Sequence, residues 1–150
     1  AFTGSRGDVP LVDSYPKFAA RADVAALVTR YREAAKSEAN RVVGALSGPA
    51  TRDGGKNGES LLGNMIADAQ LAATTGADNG AAQIAFMNPG GVRADIVPQP
   101  DGTVTFGSVF QAQPFGNMLV TKSFTGKQIR DLLETQFADP NLYRILSPSS

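Results

Sequence analysis

Apolar positions recur at helical spacing in three stretches of the chain. Val24, Leu27, Val28, Tyr31 and Ala35 share one face of a helix predicted from Asp23, which can cap it, to about Lys36, with Arg30, Arg32, Glu33 and Lys36 opposite. Leu62, Met65, Ile66, Ala69, Ala72 and Ala73 form the stripe of a second helix, Leu61 to about Thr75, with Ser60 as N-cap and Gly76 as its stop. Ile129, Leu132, Leu133 and Phe137 are the expected buried face of a third. It opens on a capping box, Thr125 with Gln128, and stops at Asp139-Pro140. Between the helices, apolar or alternating runs predict strands at Arg41–Leu46, Gln83–Met87, Thr103–Phe106 and Met118–Phe124, and Ser108–Gln113 suits a single helical turn. The pattern predicts one α/β (α+β) layered domain, a mixed β-sheet flanked by helices.

The Gln83–Met87 strand would deliver Asn88-Pro89-Gly90-Gly91-Val92-Arg93 at its carboxyl end, where loops diverge and backbone amides lie open to ligands. Pro89 fixes one backbone angle. Gly90-Gly91 permits conformations closed to residues with a Cβ, so the loop can press its N–H groups on a ligand. Arg93 adds a planar fork of donors suited to phosphate or vicinal hydroxyls. A tight turn with a solvated arginine explains the same residues. Further on, Pro114-Phe115-Gly116-Asn117 holds an aromatic where little neighbouring bulk can bury it. Beside a basic loop such a ring offers a platform for a flat ligand, although a Phe folded back into the core fits the pattern too. Thr51 to Gly58 is a further polar, glycine-rich loop, and its Arg52 and Lys56 suit either a ligand or plain solvation.

With 150 residues, 42% of them hydrophobic, the chain suffices for one globular core. Its 14 basic and 14 acidic side chains cancel, so no overall field draws nucleic acid or an anionic membrane. Any affinity for phosphate has to be local. No apolar run reaches the roughly 20 residues of a membrane-spanning helix, and no signal peptide opens the chain. Cysteine is absent, which removes disulfides and thiolate metal sites, and histidine is absent too. Without imidazole, and with Asp53, Glu59, Asp68, Asp78 and Asp95 scattered, the chain offers neither a catalytic centre nor a metal site of the divalent-metal phosphoesterase kind. Residues 1–20 read as a linker or extended arm, and their Arg6-Gly7-Asp8 matches an adhesion tripeptide that recurs by chance.

The order Gly63-Asn64-Met65-Ile66-Ala67-Asp68-Ala69, Asn88-x-Gly-Gly-x-Arg93, Thr103 to Phe110, Pro114-Phe115-Gly116-Asn117 and Thr125-Gly126-Lys127 closely resembles the C-terminal domain of the 5′-nucleotidase family. The match keeps motifs and spacing from about residue 40 to about residue 137. It implies a connecting helix between two domains at 21–39 and a partial substrate-binding domain at 40–150. Phe115 would then stack on a nucleotide base, Asn88 and Asn117 would bond near base or sugar, and Arg93 with Lys56 and Arg52 would address sugar and phosphate beside Gly90 and Gly91. Where family members commonly carry an arginine ahead of a Glu like Glu59, this chain has Lys56, which binds as a point charge and not as a fork. The family's second base-holding aromatic lies well beyond the third helix. Tyr143 comes too early for it, so the chain resembles a domain lacking its final portion.

The resemblance further implies a two-metal site on a separate N-terminal metallophosphoesterase domain, which would be this domain's partner, with an AMP-like nucleotide as ligand. The expected function is nucleotide recognition for a metal-dependent 5′-nucleotidase that hydrolyses nucleoside 5′-phosphates to nucleoside and phosphate. The family also implies a location outside the cytoplasm: extracellular, periplasmic or at the cell wall. The isolated chain is expected to be inactive. An alternative from another class is a non-catalytic interaction module that meets another chain through the arm at residues 1–20 and exposed sheet edges.

Overall fold

The computed structural model describes residues 19–55, 58–138 and 145–150. Most of the expected arm, with Arg6-Gly7-Asp8, and also Lys56, Asp139-Pro140 and Tyr143, lie outside the described residues. The chain forms two compact units, Ala1–Lys36 and Ser37–Ser150. Helix α1, Ala22–Ala39, outlasts its expected end, and no residue of it is buried. Asp23 is inside the first turn and not at the cap. There the Arg21 guanidinium, at 2.7 and 3.1 Å, and then the Val24 N–H hold its carboxyl below the usual carboxylate value.

In the second unit β1, Val42–Ala45, pairs antiparallel with β3, Thr103–Thr105, in the register Val42↔Thr105, Gly44↔Val104 and Ala45↔Thr103, irregular between Val42 and Gly44. Helix α2, Leu61–Thr74, starts as expected at Ser60, whose hydroxyl accepts the Gly63 N–H at 2.9 Å. Its end differs from expectation: Thr75 is the C-cap and Gly76 is extended (φ −61°, ψ 144°), so no left-handed glycine closes the helix. Strand β2 is only Phe86–Met87, and it pairs antiparallel with β4, Ser147–Pro148. The class is therefore the layered α/β one expected, with its strands distributed over two antiparallel ladders.

Phe106, expected to end a strand, instead begins helix α3, Phe106–Ala112, because the Thr105 hydroxyl caps the Ser108 N–H. Its ring lies 5.1 Å from the Arg41 guanidinium and 6.0 Å from Phe110. Residues 113–125 carry no regular structure, so the strand expected at Met118–Phe124 is absent. Alternation suits a strand but does not supply the partner a ladder needs, and Met118 and Val120 stand 87% and 79% exposed. Helix α4, Gly126–Glu134, has the complete Thr125–Gln128 capping box. None of its residues is buried, and of its expected apolar face only Ile129 and Leu133 are half-buried.

The core consists of Ala50, Leu62, Ala67, Met87, Val92, Ile96, Val104 and Ala112, with Leu46, Met65, Ile66 and Ala85 packed against it. On α2 the covered face is Leu62, Gly63 and Ala67, while Ala69, Ala72 and Ala73 of the expected stripe are exposed. Gly63 is there for space: a Cβ would stand 2.7 Å from Ser60 Oγ and 2.8 Å from Ser147 Cβ. Its bare backbone lets β4 lie against the helix start. The end of the chain is tied down as well, since the Ser149 N–H bonds the Ala85 carbonyl at 2.9 Å and the Ser150 N–H bonds Asp68 Oδ1 at 2.7 Å.

Leu62 is 0% exposed, so Leu62→Ala is expected to cost about 2–5 kcal/mol in urea denaturation, whereas Leu61→Ala on the open face should stay within about 0.5 kcal/mol. A second expectation concerns acid. Thr103 donates its N–H (2.9 Å) and then its hydroxyl (2.7 Å) to Asp101 Oδ1, which lowers the Asp101 pKa from its ordinary 3.8. A lowered folded value gives stability that is present above the ordinary value and lost as pH falls below it. Asp101→Asn should therefore flatten the fall of the melting temperature through the carboxylate range.

Candidate functional site

Four short segments meet around Met87. Asn88 follows it directly at the carboxyl end of β2, as expected, and Pro89–Gly91 makes one tight helical turn. The turn closes on itself: the Gly91 N–H bonds the Asn88 carbonyl at 3.0 Å and the Val92 N–H bonds the Pro89 carbonyl at 3.1 Å. The Arg93 N–H bonds the Ala112 carbonyl at 2.8 Å. These three amides are engaged within the protein, whereas the sequence leads to the expectation of a loop that offers its N–H groups. Neither Gly90 nor Gly91 has a positive φ, so the glycine pair does not serve an unusual backbone conformation. Gly91 lets the Met87 methyl pack close, and a Cβ there would force that end of the side chain to move.

Met87 in turn receives the Gln70 and Gln113 side-chain amides, whose Nε2 atoms lie 3.4 and 3.8 Å from its sulfur. Gln113 is the first residue past α3, so this contact and the Arg93–Ala112 bond hold the Asn88–Arg93 loop to the root of Pro114–Asn117. Phe115 is 45% exposed, the open ring the sequence suggested and not a core residue. Asn88 and Asn117 are exposed, and their side-chain amides make no hydrogen bond to other described residues.

Arg52 joins this cluster from a distance in sequence. Ala50 and Ile96 exchange both backbone hydrogen bonds, at 2.9 and 3.0 Å, which lays residues 50–52 alongside 93–96. The Arg52 N–H then bonds Asp95 Oδ1 at 2.8 Å, and its guanidinium bonds the Arg93 carbonyl at 3.1 Å. Arg93 Nη1 lies 3.4 Å from the Gly90 carbonyl. Of the candidates named from sequence, Asn88, Gly90, Gly91, Arg93 and Arg52 are gathered, Phe115 and Asn117 stand on the adjoining strap, and Lys56 is not described. Sequence reasoning missed Asp95, Gln70 and Gln113. The first is bound 43 residues away, and nothing local marks it.

Two cavities adjoin these elements. One, about 370 Å³, is largely apolar and reaches the cluster through Ala112 and Gln113. The other, about 970 Å³, opens between residues 80–86 and 119–124 and includes none of the candidate residues. Among the described residues no three His, Cys, Asp or Glu side chains converge, so the residues present do not fit a two-metal centre. No helix of the described residues is long and apolar enough to cross a membrane.

Fold and cluster together define a layered α/β domain that presents two arginines and an open aromatic from adjoining loops. The chain belongs to the 5′-nucleotidase C-terminal domain family, whose model matches residues 42–145. The trifunctional nucleotide phosphoesterase protein YfkN of Bacillus subtilis is 46% identical over 76 residues, which are 51% of this chain and 5% of that protein. The cell wall protein Lmo0130 of Listeria monocytogenes is 38% identical over 90 residues, 57% of this chain and 11% of its own length. The crystal structure of a 5′-nucleotidase precursor from Thermus thermophilus superposes with a TM-score of 0.67 at 29% identity, over 85% of this chain and 25% of that one. The chain thus spans a small part of each relative.

The seating of Met87 against Gly91 has a direct test. Gly91→Ala should cost about 1–3 kcal/mol and displace the Met87 methyl resonance. Gly90→Ala should cost less, since its Cβ would meet only Asn88 Nδ2, at 3.3 Å.

Proposed function

We propose that this chain is the nucleotide-recognition part of a phosphoesterase that hydrolyses nucleoside 5′-phosphates to nucleoside and phosphate, acting outside the cytoplasm. The observation that carries the reading is the joining of Arg52 and Arg93 to the strap bearing the exposed Phe115. A nucleotide has one flat apolar end and one doubly charged end, and this surface has a partner for each. Phe115 stacks on the base, Asn88 and Asn117 offer amides to base edge or sugar, and the two guanidinium groups take sugar and phosphate. The sequence offers Lys56, four positions after Arg52, as a further cation for the phosphate. The chain is neutral overall, so the attraction for phosphate is local and short-ranged.

In this reading the domain's contribution to rate is positioning: it fixes the ester relative to the hydrolytic groups and restricts its motion. The hydrolytic groups belong to a metal-binding domain that is its partner, and divalent metal ions supply a polarised nucleophile there when bound. Support for the phosphoester class comes from the family and from the nucleotide phosphoesterase relative, and support for the location from the cell wall relative.

The test is an amide NMR titration of the 150-residue chain with AMP, with inorganic phosphate and adenosine as controls. Shifts confined to Asn88–Arg93, Arg52 and Phe115–Asn117 are expected with AMP. Phe115→Ala should weaken AMP and adenosine alike by about tenfold, the worth of one stacked base, and Arg93→Ala should weaken AMP selectively. A well-dispersed spectrum that AMP leaves unchanged would overturn the proposal.

A further inference from the structure

We infer that Asp95 is a positioning residue: it sets Arg52 beside Arg93, so that the two guanidinium groups act as a single subsite for the phosphate of a nucleotide. The phosphate assignment rests on the function proposed above; the hold of Asp95 on Arg52 does not. Asp95 Oδ1 accepts the backbone N–H of Arg52 at 2.8 Å, and Arg52 Nη1 donates to the backbone carbonyl of Arg93 at 3.1 Å. One carboxylate thus fixes where the Arg52 side chain leaves the backbone, and one of its own donors then aims it at the Arg93 backbone. The reciprocal Ala50–Ile96 pairing provides the fixed base, with both residues in the core.

The electrostatics favour an anion at this place. Asp95 uses Oδ1 on a backbone amide, and neither arginine has a salt-bridge partner among the described residues. Both are exposed. Among the groups joined by these hydrogen bonds, two guanidinium groups stand against one carboxylate, on a chain whose net charge is zero. The one guanidinium contact each of Arg52 and Arg93 described above uses one of the five donors of its fork, so most of the fork stays available to a phosphate. A long side chain whose exit and one donor are already fixed loses less freedom when the ligand arrives.

The experiment compares Asp95→Ala, Asp95→Asn, Arg52→Ala and the double variant Asp95→Ala/Arg52→Ala in the 150-residue chain. In the free protein Asp95→Ala should displace the side-chain Nε–Hε resonance of Arg52, and Asp95→Asn, which keeps an oxygen acceptor, should largely restore it. Asp95→Ala should weaken AMP by about tenfold, as for a lost charge-assisted contact, while adenosine binding is unchanged. The double variant should lose no more than Arg52→Ala alone, since the two act through one another. Equal losses for AMP and adenosine, or full additivity, would overturn the positioning role in favour of a merely structural one. An Arg52 resonance unmoved by Asp95→Ala overturns it without reference to any ligand. If the wild-type chain binds no AMP, the nucleotide reading falls and the phosphate subsite with it, while a displaced Arg52 resonance still upholds the hold of Asp95 on Arg52.

Discussion

The side chain of Met87 is the point on which the cluster of candidate residues depends. Its backbone is the last of β2 and pairs with Ser147, its methyl seats against Gly91, and its sulfur accepts from Gln70 on α2 and Gln113 after α3. A thioether is suited to this place. It is apolar enough to be buried to 4% exposure, polarizable enough to meet two amides, and flexible enough to fill the space left by a missing Cβ. Two elements distant in sequence and one tight turn therefore share a single packing solution. A shift of the sulfur would be felt at Asn88 and at the root of the Phe115 strap together.

The candidate residues stand in a constant relation to the core. Asn88 and Arg93 come directly after buried Met87 and Val92, Arg52 two residues after buried Ala50, and Phe115 three after buried Ala112. Each exposed candidate side chain stands one to three positions after a close-packed residue, which fixes its backbone without using its polar atoms. This arrangement explains how short loops without regular structure can present defined groups. It also separates two kinds of substitution: changes at the exposed positions alter chemistry, whereas changes at the buried ones move the chemistry bodily.

What the sequence made legible was local. The caps of α2 and α4 are two short-range devices, Ser60 with Gly63 and Thr125 with Gln128, and both formed where the residues stood. The open Phe115 was legible because Pro114 and Gly116 leave it no immediate shelter. The ladders were not legible, because pairing is decided by a partner far along the chain. Nothing local in Ser147-Pro148 marks a strand, yet it pairs with Phe86-Met87 some sixty positions away. Arg52 and Asp95 illustrate the same limit, since their bond depends on the Ala50–Ile96 pairing and on nothing within either segment. The converse failure occurs at Met118–Phe124 and along α4, where alternation and an apolar stripe are present but the described residues leave most of them exposed.

Net neutrality has a consequence for selectivity. A strongly basic domain would gather polyanions at long range, with nucleic acid foremost among them. Here fourteen charges of each sign leave the field to be set within about a Debye length of each group, so a phosphate feels Arg52 and Arg93 only when it is already close. In the proposed nucleotide reading, binding then draws on the flat, apolar end of the ligand as well as the charged one. Phosphate alone meets only half the surface, and a base alone meets the other half. On the proposed function, a ligand that carries both at the right separation would gain from each contact the orientation that makes the second one possible, and a neutral domain of modest core would on that ground favour mononucleotides over the more highly charged polymers built from them.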